Sequence, residues 1–215
     1  MPRGVFIVFE GLDRSGKTTQ TEKLTDYLNS IGKKTILQRF PDRAEPVTGP
    51  AINNYLLNAK SIGEQKEGMH LLFAANRWFL AEGIEAALAA GTNVVADRYS
   101  FSGVSYSLSK GVPQAFAASP EIGLLRPDIV LFFDVDAATV AQRGGFGDEV
   151  MEKAEFQALV KQNMSQFADK DFWTPIDANK TIDEVHENVK IIAEKAIATA
   201  SELPLRRFEP TDLNL

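Results

Sequence analysis

Cysteine is missing from all 215 residues of the chain. Its absence excludes disulfides and thiolate metal sites and leaves the redox compartment undetermined. Only two histidines occur, His70 and His186, and neither has ligand-like neighbours in sequence, so neither reads as part of a metal site. No apolar run approaches the roughly 18 residues that a membrane span requires. The opening MPRGVFIVFEG offers too short an apolar run for a signal peptide. The expectation is a soluble, cytoplasmic protein, with a nuclear pool left open. Positive charge is also scarce: 23 basic residues against 29 acidic ones leave a net charge of −6. A protein that held a nucleic-acid duplex would carry a basic surface, so nucleic acid is not an expected partner. Any local basic cluster in so acidic a chain points instead to a small anion. No repeat, low-complexity tract or Gly/Ser-rich linker divides the sequence, which reads as one domain over 1–215.

What is present is an alternation. Short β-branched or aromatic runs at 4–10, 34–40, 92–97, 128–135 and 172–177 are bounded by Gly, Pro or Asp, as in parallel strands covered on both faces. Helical patterns lie between them, over 17–31, 64–90, 100–110, 137–143, 152–169 and 182–200. The last opens on Thr181-Ile182-Asp183-Glu184, a capping box, and continues with apolar Val185, Val189, Ile192 and Ala196. The pattern predicts a doubly wound α/β fold with a five-stranded parallel sheet.

In such sheets ligands bind beyond the carboxyl ends of the strands. The first three strands end in GLDRSGKT (11–18), FPDR (40–43) and DRY (97–99), so three successive strand ends each carry an acid beside an arginine. GLDRSGKT matches the phosphate-loop pattern G-x-x-x-x-G-K-[ST], and it follows a strand and opens a helix, as a phosphate loop must. Gly11 and Gly16 let the backbone N–H groups of Asp13, Arg14, Ser15 and the helix start at Thr19 face a polyphosphate. Lys17 reaches its outer phosphates and the Thr18 hydroxyl suits Mg²⁺. This loop, usually neutral, holds both Asp13 and Arg14.

The other motifs leave alternatives open. Asp97 suits a magnesium ion and Arg98 a phosphate, or the two close the strand by pairing with each other. Arg43 suits a phosphate or is a solvated surface residue. Phe73 and Arg77, one helical turn apart in MHLLFAANRWFL, would suit a flat heterocycle. A core Phe73 with a surface Arg77 is the plainer reading of that spacing. Ser102 and Tyr106 repeat it around Gly103, where ordinary helix packing is again the plainer reading. The run RGGFGDEVME, 143–152, reads equally as a mobile lid or a plain loop.

Taken together, LDRSGKTTQ, RFPDR, HLLFAANRW, DRYSFSGVSYS, GLLRPDIVLFF and RGGFGDE resemble thymidylate kinase from about residue 4 to 200, in order and spacing. The resemblance implies a homodimer of the nucleoside monophosphate kinase type, with ATP, dTMP and Mg²⁺. It implies that Arg43 and Arg98 grip the acceptor phosphate, near Phe40. Phe73 would stack on thymine, Arg77 would hydrogen-bond it, and Asn76 would belong to the same dTMP site. Ser102, Gly103 and Tyr106 would lie by the deoxyribose, with Asp13 taking its 3′-hydroxyl. Arg143 would pack on adenine, opposite the backbone near Asn179 and Lys180. Lys17, Arg14, Asp97 and Arg98 would be catalytic, with Thr18 and Asp97 holding the metal.

Family members place a mobile arginine either in the phosphate loop or in the lid. Here the loop has Arg14, and no Arg or Lys follows Arg143 until Lys153, so the resemblance is to the first class, typical of eukaryotes and their large DNA viruses. Three departures stand out: Glu149-Val150-Met151-Glu152 replaces the usual E-R-Y-E, FPDR has Asp for the usual Glu, and Ala44-Glu45-Pro46-Val47-Thr48 replaces a Ser-Thr pair. The expected reaction gives dTDP and ADP. The rivals are another nucleoside monophosphate kinase, a deoxynucleoside kinase, which has no need of an FPDR arginine, and a GTP-type switch, which needs an N-K-x-D that the chain lacks.

Overall fold

The computed structural model describes residues 2–59, 64–143 and 154–215. Strands β1 (Phe6–Gly11), β2 (Thr35–Arg39), β3 (Asn93–Asp97), β4 (Ile129–Asp134) and β5 (Trp173–Asp177) form one sheet in the order β2-β3-β1-β4-β5, and every neighbouring pair is parallel. Helices follow in chain order as α1 (Lys17–Ser30), α2 (Gly49–Asn58), α3 (Lys66–Ala89), α4 (Ser100–Ser109), α5 (Gln114–Ala118), α6 (Ala137–Gln142), α7 (Ala154–Ser165) and α8 (Ile182–Ala200). The expected doubly wound α/β sheet is the one observed.

Alternation along the strands makes two cores. Phe6 and Val8 of β1, Val94 and Ala96 of β3, and Val130 and Phe132 of β4 face one side, closed by α3, α4 and α7. Ile7 and Phe9, Val95, and Leu131 and Phe133 face the other, closed by α1 and α8. The helix after β1 therefore covers one face of the sheet and the helix after β3 covers the opposite face. The two connections part where β1 and β3 end side by side, and a crevice opens there.

Helix α2 falls in a stretch with no expected element. Its start is held by Glu45, whose carboxylate accepts from the N–H groups of Val47 at 2.9 Å and Thr48 at 2.6 Å, and from the Thr48 hydroxyl at 2.5 Å. Pro50 lies in the first turn, where a proline costs no hydrogen bond.

The tail after α8, a stretch with no expected element, is packed down. Phe208 and Leu213 are buried, and the Phe208 backbone exchanges hydrogen bonds with Gly123 at 3.0 Å and Leu124 at 2.8 Å. The Phe208 ring stacks on Tyr99 and meets Phe101 edge-on, which ties the chain end to the start of α4.

Candidate active site

The crevice between β1 and β3 leads into a cavity of about 700 Å³. Its floor is the loop after β1. At Gly11 φ is +144°, and a Cβ there would lie 2.8 Å from the Phe133 carbonyl oxygen, so this strand exit requires glycine. Gly16, at φ +93°, turns the chain into α1, whose first N–H groups face the loop. Arg14 has φ 64° and Arg98 has φ 67°, a left-handed backbone that costs a non-glycine residue roughly 1–3 kcal/mol and that clusters at functional sites. Lys17 is buried beneath the loop, and its ammonium donates to the Leu12 carbonyl at 2.5 Å and the Ser15 hydroxyl at 3.1 Å. Burial lowers its pKa to about 8.

Across the crevice, the Thr18 hydroxyl donates to Asp97 at 2.6 Å. Arg98 turns to Asp13 of the neighbouring strand end, with which it forms an ion pair, and also donates to the Gly11 carbonyl and the Ser102 hydroxyl, both at 3.1 Å. Each residue of the Asp97–Arg98 dipeptide thus reaches toward the phosphate loop. Burial opposes the Arg98 charge, but Tyr106 and the carboxylates of Asp13, Asp97 and Glu10 outweigh it and raise its pKa. Burial pushes Asp13 upward, but Arg98 and Lys17 prevail and hold its carboxyl below the usual range. Asp13 also accepts from the Tyr106 hydroxyl at 2.9 Å and the Gln157 amide at 2.7 Å, while its own N–H donates back to Gln157 at 3.1 Å. Arg43 lies exposed at the rim, 3.3 Å from the Asn53 side-chain oxygen.

The inner end is lined by Phe40, Leu56, Phe73, Arg77, Gly103 and Tyr106. The plainer reading of the Phe73–Arg77 spacing is reversed. Arg77 is 3% exposed while Phe73 is only half-buried and faces the cavity. The reason is Glu121, from the single turn Ser119–Glu121, whose carboxylate accepts from Arg77 Nε at 2.8 Å and also pairs with Nη2. Asn76 is buried and holds the FPDR loop: its side chain accepts from Asp42 N–H at 2.8 Å and donates to the Asp42 carbonyl at 2.9 Å and the Thr48 hydroxyl at 2.8 Å.

At the outer end Arg143 lies over the phosphate loop and donates to the Arg14 carbonyl at 3.0 Å and the Ala178 carbonyl at 2.5 Å. Lys180, Ile182 and Val185 line the wall beside it. The Asn179 side chain accepts from Asp136 N–H at 3.0 Å and so braces the turn after β5. Beyond Arg143, the lid expected to run to 152 lies outside the described residues.

A family model described as thymidylate kinase matches residues 9–189. The chain belongs to the thymidylate kinase family. It is 42% identical to the thymidylate kinase of Arabidopsis thaliana over 201 residues, which cover 94% of this chain and 75% of that one. It is 39% identical to that of Homo sapiens, covering 94% and 96% respectively. A solved thymidylate kinase structure from Candida albicans superimposes with a TM-score of 0.85 at 34% identity, covering 97% of this chain and all of the other. This is a kinase with the phosphate-loop fold of the nucleoside monophosphate kinases.

Every site residue expected from the sequence, Gly11 to Lys180, lies inside the span matched by the thymidylate kinase model. Three residues that shape the site were not anticipated. Glu10 is fully buried and accepts from the N–H groups of Tyr99 at 2.9 Å and Ser102 at 3.0 Å, with its pKa raised by burial. Its signal was available, as the one charge in the apolar run GVFIVFE. Gln157 and Glu121 carried no local signal, because their partners lie 144 and 44 residues away.

Proposed function

We propose that the chain transfers the γ-phosphoryl group of MgATP to the 5′-phosphate of dTMP, giving dTDP and ADP, with all of 1–215 acting as one catalytic unit. The observation that carries this reading is a single cavity that holds the phosphate loop at one end and the Phe73–Arg77 pair at the other, with Arg98 between them and Arg43 at the rim. A donor triphosphate on Lys17 and an acceptor monophosphate on Arg98 would meet end to end.

In this reading a dTMP phosphate oxygen attacks the γ-phosphorus in line, and the bond to the β,γ-bridging oxygen breaks as ADP departs. The acceptor is already ionised, so no strong general base is required. Catalysis is positioning and charge stabilisation. Lys17 and Arg14 face the donor phosphates, and Arg43 and Arg98 hold the acceptor. Arg14 is the mobile cation at the transferring group. Thr18 and Asp97 fit Mg²⁺, because they bring two hard oxygen groups together beside the loop. Two protein oxygens beside the loop suit an ion bound mainly through substrate phosphates and water. Bound there, Mg²⁺ would offset charge on the β- and γ-phosphates. Phe73 supplies a stacking face for thymine, Tyr106 and Asp13 stand by the sugar, and Arg143 with the Asn179–Lys180 turn flanks adenine.

No described helix is long and apolar enough to cross a membrane. The reaction implies the cytoplasm, where nucleotide pools lie. A homodimer is the assembly we favour, because α3 presents Leu71, Trp78 and Phe79 to solvent along one side, at 47%, 43% and 55% exposure. Sedimentation of the purified chain tests it, and a monomer at micromolar concentration would refute it.

The activity is tested by separating the products formed from MgATP with dTMP or thymidine. Formation of dTDP from dTMP, with little dTMP formed from thymidine, supports the assignment. Preference for thymidine would move the chain to the nucleoside kinases and leave Arg43 without its role.

A further inference from the structure

We infer that Glu121 sets the choice of nucleobase by holding Arg77 in a fixed orientation at the inner end of the cavity. The inference rests on the reading of that end as the dTMP acceptor site. Arginine carries five N–H donors and no acceptor, so a fixed guanidinium presents a donor-only surface. Glu121 is fully buried and occupies the Nε–Nη2 edge. Arg77 lines the cavity, while Glu121 stands behind it.

The opposite constraint comes from α4. A Cβ added to Gly103 would lie 2.5 Å from Arg77 Nη2 and 2.9 Å from its central carbon, so the guanidinium lies flat against the bare backbone there. A carboxylate on one edge and a glycine under one face leave the group little freedom to turn. His70 stands beside the pair, held neutral by burial and bonded to the Ser107 hydroxyl at 2.7 Å, so it does not compete for Glu121 as a cation.

The consequence is chemical. A base edge with a carbonyl oxygen meets a matching donor, whereas an exocyclic amino group in the same place sets donor against donor. Thymine is taken and cytosine refused. A guanidinium left buried without its carboxylate would have to turn toward water or another partner, and the discrimination would go with it. Glu121 touches no substrate and is a positioning residue.

The test is steady-state kinetics with dTMP and dCMP on the wild type, Glu121→Gln and Gly103→Ala, with thermal melting of each. For Glu121→Gln the expected result is a KM for dTMP raised roughly tenfold, an unchanged KM for MgATP, and a dTMP-over-dCMP ratio of kcat/KM reduced tenfold or more, the scale of one charge-assisted hydrogen bond. Gly103→Ala, which leaves the ion pair's partners in the chain but crowds Nη2, should reduce the ratio in the same direction. A purely structural role would lower the melting temperature and slow both acceptors equally. An unchanged ratio in folded Glu121→Gln, or in Gly103→Ala where the first variant does not fold, overturns the inference alone. No turnover of dTMP by the wild type overturns the acceptor reading and this inference with it.

Discussion

Asp13, in the loop after β1, and Arg98, at the end of β3, are joined in an ion pair across two adjacent strand ends. The same guanidinium reaches the Gly11 carbonyl and the Ser102 hydroxyl, so one arginine ties the phosphate loop to the start of α4. Asp13 in turn collects Tyr106 and Gln157. The phosphate loop, Arg98 and helix α7 are therefore connected through a single carboxylate.

Arg98→Lys tests that connection. A lysine ammonium is a point charge and cannot reproduce the planar fork that reaches Asp13, Gly11 and Ser102 while gripping a phosphate. Losing even one charge-assisted hydrogen bond of this fork, worth about 1.5–3 kcal/mol, predicts a fall in kcat/KM for dTMP of roughly a hundredfold. Varying dTMP at saturating MgATP measures it, and MgATP binding followed by calorimetry should change far less.

The pH dependence follows from Lys17, whose pKa is lowered by burial from the ordinary 10.5 to about 8. The free protein loses this cation as pH rises through that value, so kcat/KM for MgATP should fall above about pH 8. Stability moves the other way. Between about 8 and 10.5 the unfolded chain holds the proton and the folded one does not, so stability increases as pH rises through that window. Lys110, also lowered to about 8 by burial, adds the same sign. Urea midpoints at pH 7.5 and 9.5, on the wild type and on Lys17→Met and Lys110→Met, separate the two contributions, each variant showing a shallower rise.

Phe208→Ala should destabilise the fold by about 3–5 kcal/mol, the range for emptying a buried aromatic site. Its ring is 2% exposed and packs on Tyr99 and Phe101 at the base of α4. Because Tyr99 follows Arg98, the KM for dTMP should rise while that for MgATP holds. Chemical denaturation and kinetics measure the two effects; wild-type stability would mean that the tail is not part of the core.

How much of this was legible in the sequence depended on how local each feature is. The strands and the phosphate loop were readable because burial on both faces, strand exit and helix start are all encoded within a few residues of GVFIVFEGLDRSGKT. DRY and FPDR were readable as strand ends, and their adjacency follows from the β2-β3-β1 order. Arg77 was not, since its spacing with Phe73 fits a surface residue until Glu121 supplies a buried counter-charge from another element. Asn76 sits in the segment expected at the base, yet its amide holds Asp42 and Thr48, a partnership set by how α3 crosses the FPDR loop. The tail looked unassigned because its burial depends on a short antiparallel bridge to Leu125, a pairing with no periodicity of its own.

The most direct measurement is ADP release from MgATP by the wild type and Arg14→Ala, with dTMP and thymidine as acceptors. The expected result is turnover with dTMP, little with thymidine, and a loss of roughly a hundredfold or more in the variant, the scale of removing one preorganised charge from a phosphoryl transfer. Wild-type turnover in Arg14→Ala would contradict a phosphate-loop arginine at the transferring group, and faster turnover of thymidine than of dTMP would contradict transfer between two phosphates.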